Sequence, residues 1–301
     1  MKNVIFFMLA LSVLTFSGFG CNGQNEATQS TVPSRDKTTF QKIKDGLTPG
    51  KEADLDIEQT QDLFITVHCE PGSDPHSTGY QQLHWPALVD LVESAESHGH
   101  VLNIWMNPQW VSYILADSGR TNLVRSWVAD GHELGIHHHG PHQGNWNGYT
   151  NQSEFSNSTE YIGTMDDAMK LYEQLLGEPP VAGTITDKDI AYDFPVGMPY
   201  HTSGGSDKEE HLYSTPETVT NNGQTYQNLT HARFGAERNA VNLDTDELEL
   251  VLKNYDGNEI VGIVFHTFEY DENPASFDEM FVMLEERGIS AQNVPDLIEQ
   301  Y

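Results

Sequence analysis

Four histidines follow a short apolar run in the segment 131–142, which reads GHELGIHHHGPH. Imidazole is the commonest side-chain ligand for zinc, copper, nickel and iron, because its ring nitrogen is neutral and available near pH 7. The tract is bounded by strand and helix patterns, which makes a hydrated loop or an incidental metal-scavenging tract the weaker interpretation. A chain with this feature must hold the histidines on a rigid element and complete a metal site from elsewhere.

The residues before the tract predict a helix followed by a strand. Apolar residues recur at helical intervals in Leu115–Asp130, and a glycine follows where a C-terminal cap belongs. A strand should then run from Glu133 to about His139. Alternation along this strand puts His137 and His139 on one face and His138 on the other.

His142 lies beyond the turn-forming pair Gly140-Pro141, where the chain could fold back over the same pocket. The candidate metal ligands from this tract are therefore His137 with His139, with His142, or with both.

The N-terminus has the features of a secretory signal. Lys2 precedes an apolar run that is too short for a comfortable transmembrane helix, and small residues then lead to Cys21. We expect residues 1–20 to be removed, with either a lipid anchor at Cys21 or plain secretion. The expected location is extracytoplasmic, as a membrane-anchored lipoprotein or a periplasmic or secreted protein. The polar residues 21–61 predict a flexible tether, and residues 62–301 predict one large α/β domain.

The charge of the chain is strongly acidic. Acidic residues outnumber basic residues by 45 to 15, and the net charge is −30. No basic patch is available for phosphate backbones, so we expect no nucleic-acid partner. Acidity of this size is common where salt screens self-repulsion, which predicts a saline habitat and a stability that rises with salt.

Strand and helix patterns alternate along the rest of the chain. This order implies parallel neighbouring strands with helices outside them. The predicted strands are Asp62–Val67, His100–Met106, Glu133–His139, Val181–Thr186 and Ile260–Phe265, and the predicted helices are Leu83–Ser97, Leu115–Asp130, Thr159–Leu176, Asp244–Lys253, Phe277–Arg287 and Val294–Tyr301. The segment 187–205 shows no clear period, and the segment 212–242 permits no assignment.

Reactive side chains follow three of these strands at their carboxyl ends. His68 and Glu70 follow the first strand, the histidine tract ends the third, and His266 follows the last. Parallel strands of one barrel bring their carboxyl ends to one mouth, so groups distant in the chain can share a pocket. One carboxylate with two imidazoles leaves coordination positions open for water and substrate, as in catalytic metal sites.

In four segments the chain resembles the polysaccharide deacetylases, the carbohydrate esterases of family 4 type with a NodB homology domain. GHELGIHHHGPH is similar to the family's GHEIG-x-H motif and is the most specific of the four. The others are the early strand end TVHCEPG, the late strand end GIVFHTF and the closing helix EMFVMLEERGI. The resemblance spans about Leu63 to Ile298. It implies an α/β fold, an incomplete (β/α)7-type barrel of parallel strands with outer helices.

The resemblance also implies roles for individual residues. His68 stands where the family has its acidic general base, and Glu70 stands where it has a metal carboxylate. His266 matches the late histidine that resembles the family's general acid. No segment clearly matches the family's arginine-proline motif.

The chain departs from the family in its histidine pair. That pair is usually spaced by four residues, which would set His137 beside Pro141. His142, one place further, is the preferred second metal ligand after His137, and His139 is the alternative.

These roles predict metal-dependent removal of an N-acetyl or O-acetyl group from a carbohydrate. Zinc is the expected divalent metal, and the protein is expected to be a monomer. The metal would activate water, His68 or Glu70 would accept a proton, and His266 would protonate the leaving amine or alcohol. Trp146, in a loop rich in Gly and Asn, is predicted to stack on a sugar ring. Cys69 is predicted to be a core thiol, because strand alternation points it away from His68 and Glu70.

Two other functions are compatible with the sequence. Glycosidases of family 57 share a related barrel and a His-x-x-Pro-like segment, here His68 to Pro71, but they need two carboxylates that flank the scissile bond. A non-catalytic metal- or carbohydrate-binding lipoprotein on the same fold is consistent with the departures at His68 and Pro141.

Overall fold

The computed structural model describes residues 62–204, 212–235, 242–255 and 258–301, and it contains nine strands within these ranges. The strands are β1 (Leu63–Cys69), β2 (Asn103–Met106), β3 (Glu133–His138), β4 (Ala182–Ile185), β5 (Tyr200–Gly204), β6 (Tyr213–Ser214), β7 (Glu217–Asn221), β8 (Gln224–Arg233) and β9 (Ile260–His266).

Seven of these strands form a closed parallel barrel in the order β1-β2-β3-β4-β5-β8-β9. β9 pairs with β1 along its length. β8 pairs with β9 through two residue pairs only, Ala232 with Ile263 and Arg233 with Val264, and this pairing closes the barrel. The short strands β6 and β7 lie antiparallel on β9 and β8. The predicted α/β fold, a seven-stranded parallel barrel with outer helices, is therefore confirmed.

Nine α-helices lie within the described ranges, most of them in the connections between barrel strands. They are α1 (Gly79–Ser97), α2 (Pro108–Leu115), α3 (Ser118–Ala129), α4 (Met165–Leu176), α5 (Ile190–Asp193), α6 (Thr245–Lys253), α7 (Thr267–Glu272), α8 (Pro274–Glu286) and α9 (Val294–Gln300). None of these helices combines the length and apolar character that a membrane span requires. The signal segment 1–20, Cys21 and the tether 21–61 lie outside the described residues.

Two apolar layers hold the barrel together. The outer layer joins one face of the strands and the helices in one buried cluster, to which Ile65 of β1 and Leu88 and Leu91 of α1 belong. The inner layer fills the barrel with Phe64 and Trp105. Val294, Leu297 and Ile298 of α9 join the inner layer beside the first residues of β4 and β9, so the terminal helix covers the amino-terminal end of the barrel. Loops surround the opposite, carboxyl-terminal end of the strands, which is the mouth of the barrel.

Glycines inside the barrel make room for its large rings. A Cβ on Gly135 would lie 2.3 Å from the Trp105 ring, and a Cβ on Gly262 would lie 2.6 Å from the Phe64 ring. Any larger residue at these positions would overlap the ring or displace a strand. The Gly135 of the GHELG segment therefore serves packing beneath the histidines.

Several predicted elements were wrong or incomplete. The helix predicted for Leu115–Asp130 is present as α3, which begins after Asp117 because that side chain accepts the Arg120 N–H. The helix before it, α2, was not predicted; it begins after Asn107, whose side chain accepts the Gln109 N–H. The segment without a clear period contains β5, and the unassigned segment contains β6, β7 and the barrel strand β8. β8 reads QTYQNLTHAR, and its polar residues hide the strand pattern although the barrel buries part of it.

Candidate metal centre at the mouth of the barrel

Three of the barrel strands, β9, β1 and β3, deliver the predicted site residues to the carboxyl end of the barrel. β1 carries His68 and is followed by Glu70, β3 carries His137 and is followed by His139, and β9 ends at His266. Register fixes part of this arrangement, because His68 pairs directly with His266 across β1 and β9. We call these five residues the mouth cluster.

Glu70 is the centre of the mouth cluster. Its Oε1 lies 3.2 Å from Nε2 of His137 and 3.1 Å from Nε2 of His266, and its Oε2 lies 3.3 Å from Nε2 of His139. Nε2 of His137 and Nε2 of His139 are themselves 3.0 Å apart. One carboxylate thus gathers three ring nitrogens from two other strands.

A backbone carbonyl sets the orientation of the His139 ring. Nδ1 of His139 lies 3.0 Å from the Gly144 carbonyl oxygen. A carbonyl oxygen only accepts, so Nδ1 carries the hydrogen and the neutral ring has its lone pair on Nε2. Burial lowers the pKa of His139, which favours this neutral form. Nε2 therefore presents a lone pair to Glu70, an arrangement that a cation between the two groups would stabilise.

His68 is buried at the base of the cluster. Its ring stacks on His137, with centroids 4.2 Å apart, and meets His266 and His231 edge-on, each at 5.5 Å. Nε2 of His68 is buried without a hydrogen-bond partner. Burial, together with the neighbouring His137, His266 and His231, holds the pKa of His68 well below its ordinary value.

His266 is held by a second carboxylate on its far side. Nδ1 of His266 donates to Oε2 of Glu269 at 2.8 Å, and the backbone N–H of His266 donates to the same oxygen at 2.9 Å. Arg233 of β8 donates to the other oxygen of Glu269 at 2.7 Å. Burial opposes a charge on His266, but the hydrogen bonds to Glu269 and Glu70 outweigh it and raise its pKa to about 9.

Glu70 itself is ionised. Burial alone would raise its pKa, but electrostatic interactions with His139 and His137 and hydrogen bonds from His137 and His266 hold the pKa well below its usual range. A carboxylate in this state can serve as a metal ligand without first losing a proton.

His138 belongs to a separate buried network on the other side of β3. Its Nδ1 accepts from the Asn147 amide at 3.1 Å, so its Nε2 donates to Oδ2 of Asp193, also at 3.1 Å. Asp193, which is fully buried, also accepts from Thr150 Oγ1 at 2.9 Å and from the Asn151 backbone at 2.7 Å. This network ties the loop after β3, which contains Gly144, to α5.

His142 lies apart from the mouth cluster. Its Nε2 contacts Oε1 of Gln152 at 2.8 Å, and its ring packs near Phe155 and Tyr192. The backbone N–H of His142 is directed at Asp189. The structure therefore brings His139, rather than the preferred candidate His142, together with His137 and Glu70.

Trp146 and Cys69 are both covered by protein. Trp146 is 7% exposed; its ring packs on Phe155 and donates from Nε1 to the Tyr149 carbonyl. Cys69 is fully buried on the strand face away from Glu70, and Thr267 Oγ1 donates to its sulfur at 3.3 Å. Burial raises the pKa of the Cys69 thiol to about 12.

Sequence reasoning missed three residues around the cluster. Glu269 and Arg233 fix His266, and His231 faces the edge of His68. Only Glu269 had a local signal, since it follows His266 by three residues at the start of α7. Arg233 and His231 lie on β8, which the sequence did not reveal as a strand.

The donor set fits a divalent metal ion. Ligand atoms of Glu70, His137 and His139 all lie within 4.8 Å of one another. Two imidazole nitrogens and one carboxylate oxygen suit zinc and similar ions, and three protein ligands leave positions open for water and substrate. The Nδ1–H of His139 bonded to a carbonyl is the outer support usual for a metal-bound imidazole.

Comparison with known proteins supports the fold. No family model matches the sequence, and no curated protein matches it. A protein designated a polysaccharide deacetylase from Mycobacterium smegmatis superposes with a TM-score of 0.51 at 12% identity, over 84% of this chain and 94% of that one. A probable polysaccharide deacetylase from Pseudomonas aeruginosa PAO1 gives 0.50 at 12% identity, over 79% and 89%.

The same barrel occurs in a larger carbohydrate-active enzyme. A 4-alpha-glucanotransferase from Thermococcus litoralis gives a TM-score of 0.52 at 11% identity, over 81% of this chain but 41% of that one. At such identities the likeness establishes the fold alone. The chain is thus a seven-stranded α/β barrel with a histidine and carboxylate cluster at its mouth. Its fold is shared with polysaccharide deacetylases.

Proposed function

We propose that this protein is a metal-dependent hydrolase that removes acetyl groups from a polysaccharide or oligosaccharide outside the cytoplasm. The observation that carries the proposal is the convergence of Nε2 of His137 and Nε2 of His139 on the Glu70 carboxylate at the mouth of the barrel. The resemblance of the GHELGIHHHGPH segment to the deacetylase motif and the shared fold support the same conclusion.

Glu70, His137 and His139 would hold the metal, for which zinc remains the prediction. A divalent ion held by these residues would polarise the acetyl carbonyl and would lower the pKa of a water molecule from about 15.7 towards 7. Holding the ion with three ligands leaves the substrate side of the cluster open.

His68 and His266 would divide the proton transfers between them. His68 is kept neutral by burial and can accept a proton from the attacking water. His266 is kept protonated by Glu269 and Glu70 and can donate a proton to the leaving nitrogen or oxygen. Two titratable groups whose environments shift their pKa values in opposite directions are the usual sign of an acid and base pair.

The overall reaction consumes one water and yields acetate with a free amine or hydroxyl on the sugar. The C–N or C–O bond of the acetyl group breaks, and the new C–O bond of acetate comes from water. Glu269 and Arg233 do not touch the reacting atoms in this scheme. They position His266 by holding its Nδ1–H and favour the protonated ring, whose second proton is on Nε2, the nitrogen that faces Glu70.

Acetate release from acetylated chitin-type, peptidoglycan-type and O-acetylated glycans tests the proposal. We expect turnover after zinc reconstitution, and we expect the His137→Ala variant to lose both metal and turnover. Release of reducing ends without acetate would favour the glycosidase alternative instead. Metal binding with no turnover on any glycan would favour a binding protein on the enzyme fold.

A further inference from the structure

Glu70 belongs to two groups of potential metal ligands. The first is the group with His137 and His139 described above. The second consists of His68, Glu70 and His266, whose ligand atoms also lie within 4.8 Å of one another. Because both groups share Glu70, they are two adjacent positions at one mouth.

The second group has a nitrogen without a partner. His68 is only 8% exposed, and its Nε2 is buried without a hydrogen bond. A buried polar atom left unpaired costs free energy, and ligation of an ion is one way to satisfy it. The stacking of His68 on His137 and its edge contact with His266 keep the ring among the cluster.

His266 is oriented in the way a metal ligand requires. Its Nδ1 is occupied by Glu269, so Nε2 is the nitrogen that faces Glu70, at 3.1 Å from Oε1. A carboxylate on the outer nitrogen is a common support for a metal-binding imidazole. An ion at Nε2 would displace the proton shared with Glu70, which would leave as solvent hydronium.

We infer that His68, Glu70 and His266 form a second divalent-metal position, and that an ion bound there inhibits the enzyme. The inhibition rests on the proposed function, since it follows from His68 and His266 being the base and the acid of the reaction. One ion in the second position occupies both proton-transfer groups at once. Excess zinc should therefore suppress acetate release that the first equivalent supports.

Equilibrium dialysis of metal-free protein against zinc, with elemental analysis of both chambers, tests the inference. The protein should carry no histidine tag. At zinc equal to protein we expect about one ion per chain, and in excess zinc we expect one more. His68→Gln and His266→Gln should each lose this additional equivalent and keep the first. His98→Gln is the matched control, because His98 pairs with the surface carboxylate Glu285, outside the cluster.

The inhibitory role is read from acetate release by the wild-type protein along the same titration. Activity should rise with the first equivalent and fall as the second binds. A second equivalent that both variants retain, or a wild-type protein that saturates at one ion, would overturn the second position. Activity that rises with the second equivalent would overturn the inhibition.

The failure of this inference can be told from failure of the proposed function. Acetate release with one ion at every zinc concentration would remove the second position and leave the deacetylase intact. Two bound ions without acetate release on any glycan would contradict the proposed function, and the inhibitory role with it.

Discussion

Nε2 of His266 lies 3.1 Å from Oε1 of Glu70, although His266 ends the last strand of the barrel and Glu70 directly follows the first. The contact exists because β9 pairs with β1 in a register that sets His266 directly beside His68. Closure of the barrel thus joins the proposed proton donor to the proposed metal carboxylate.

The charge of Glu269 should control the alkaline limit of activity. His266 must be protonated to act as an acid, so activity should fall as pH rises through its pKa of about 9. Glu269→Gln removes the negative charge next to Nδ1 of His266. The pKa of His266 should therefore fall, and the alkaline limb of the pH–activity profile should move to lower pH. We also expect kcat to fall about 10- to 100-fold. The pH profiles of kcat for wild type and variant measure both effects.

Glu272→Gln is the matched control, since Glu272 is an exposed carboxylate on the same short helix α7. Its profile should match that of the wild type. An unchanged alkaline limb in Glu269→Gln would show that Glu269 does not act through His266.

The Asp193 network should contribute to stability in a pH-dependent way. Burial opposes its ionisation, but hydrogen bonds from His138, Asn151 and Thr150 lower the pKa of Asp193 below its ordinary value near 3.9. The stabilisation is thus complete above the unfolded pKa and is lost as pH falls through the lower folded pKa. Asp193→Asn should cost about 1–3 kcal/mol at neutral pH, because it leaves buried donors facing an amide.

Chemical denaturation at several pH values, with a chelator present, measures this contribution. The gap in the free energy of unfolding between wild type and Asp193→Asn should narrow as the solution is acidified below pH 4. Asp187→Asn changes an exposed carboxylate nearby and should show no comparable gap. A gap that stays constant down to acid pH would contradict the assignment of the charge to Asp193.

Cys69 should be inert in the folded protein. Its side chain is fully buried and its thiol pKa is raised to about 12, so little thiolate is available to react. In a Cys21→Ser background we expect no reaction with a thiol reagent until the protein is denatured. Cys69→Ala should keep acetate release and cost about 1 kcal/mol of stability. Rapid labelling of folded protein, or loss of turnover in Cys69→Ala, would restore the thiol as a candidate nucleophile.

The net charge of −30 should make stability depend on salt. Like charges on the surface repel, and raising the ionic strength from about 0.1 M to 1 M shortens the screening length from about 10 Å to about 3 Å. The melting temperature should therefore rise by several degrees with added sodium chloride. Sucrose at matched osmolality is the control for effects other than screening. A melting temperature that is flat or falls with salt would argue against charge repulsion as a limit on stability.

The site residues that could be predicted from the sequence lie on, or directly after, strands that are buried on both faces. β1 and β9 are continuous runs of aliphatic and aromatic residues, so their ends, with His68, Glu70 and His266, could be located. β5 and β8 are short or polar and become strands through pairing with their neighbours. No local pattern could reveal them, and Arg233 and His231 stayed hidden with them.

The choice between His139 and His142 depended on contacts that sequence cannot show. Strand alternation left both open, and the spacing of the family motif favoured His142. The carbonyl of Gly144 turns the His139 ring towards Glu70, whereas Gln152 takes up the His142 ring. Both contacts come from how the loop after β3 folds back, which has no periodic signal.

The central claim is that Glu70, His137 and His139 bind one divalent metal ion, and elemental analysis tests it most directly. Protein without a histidine tag, reconstituted with equimolar zinc and dialysed, should retain about one zinc per chain. His139→Ala should lose it, whereas His142→Ala, a substitution of an exposed histidine in the same segment, should keep it. Zinc retained by His139→Ala but lost from His142→Ala, or no zinc in the wild type, would contradict the account.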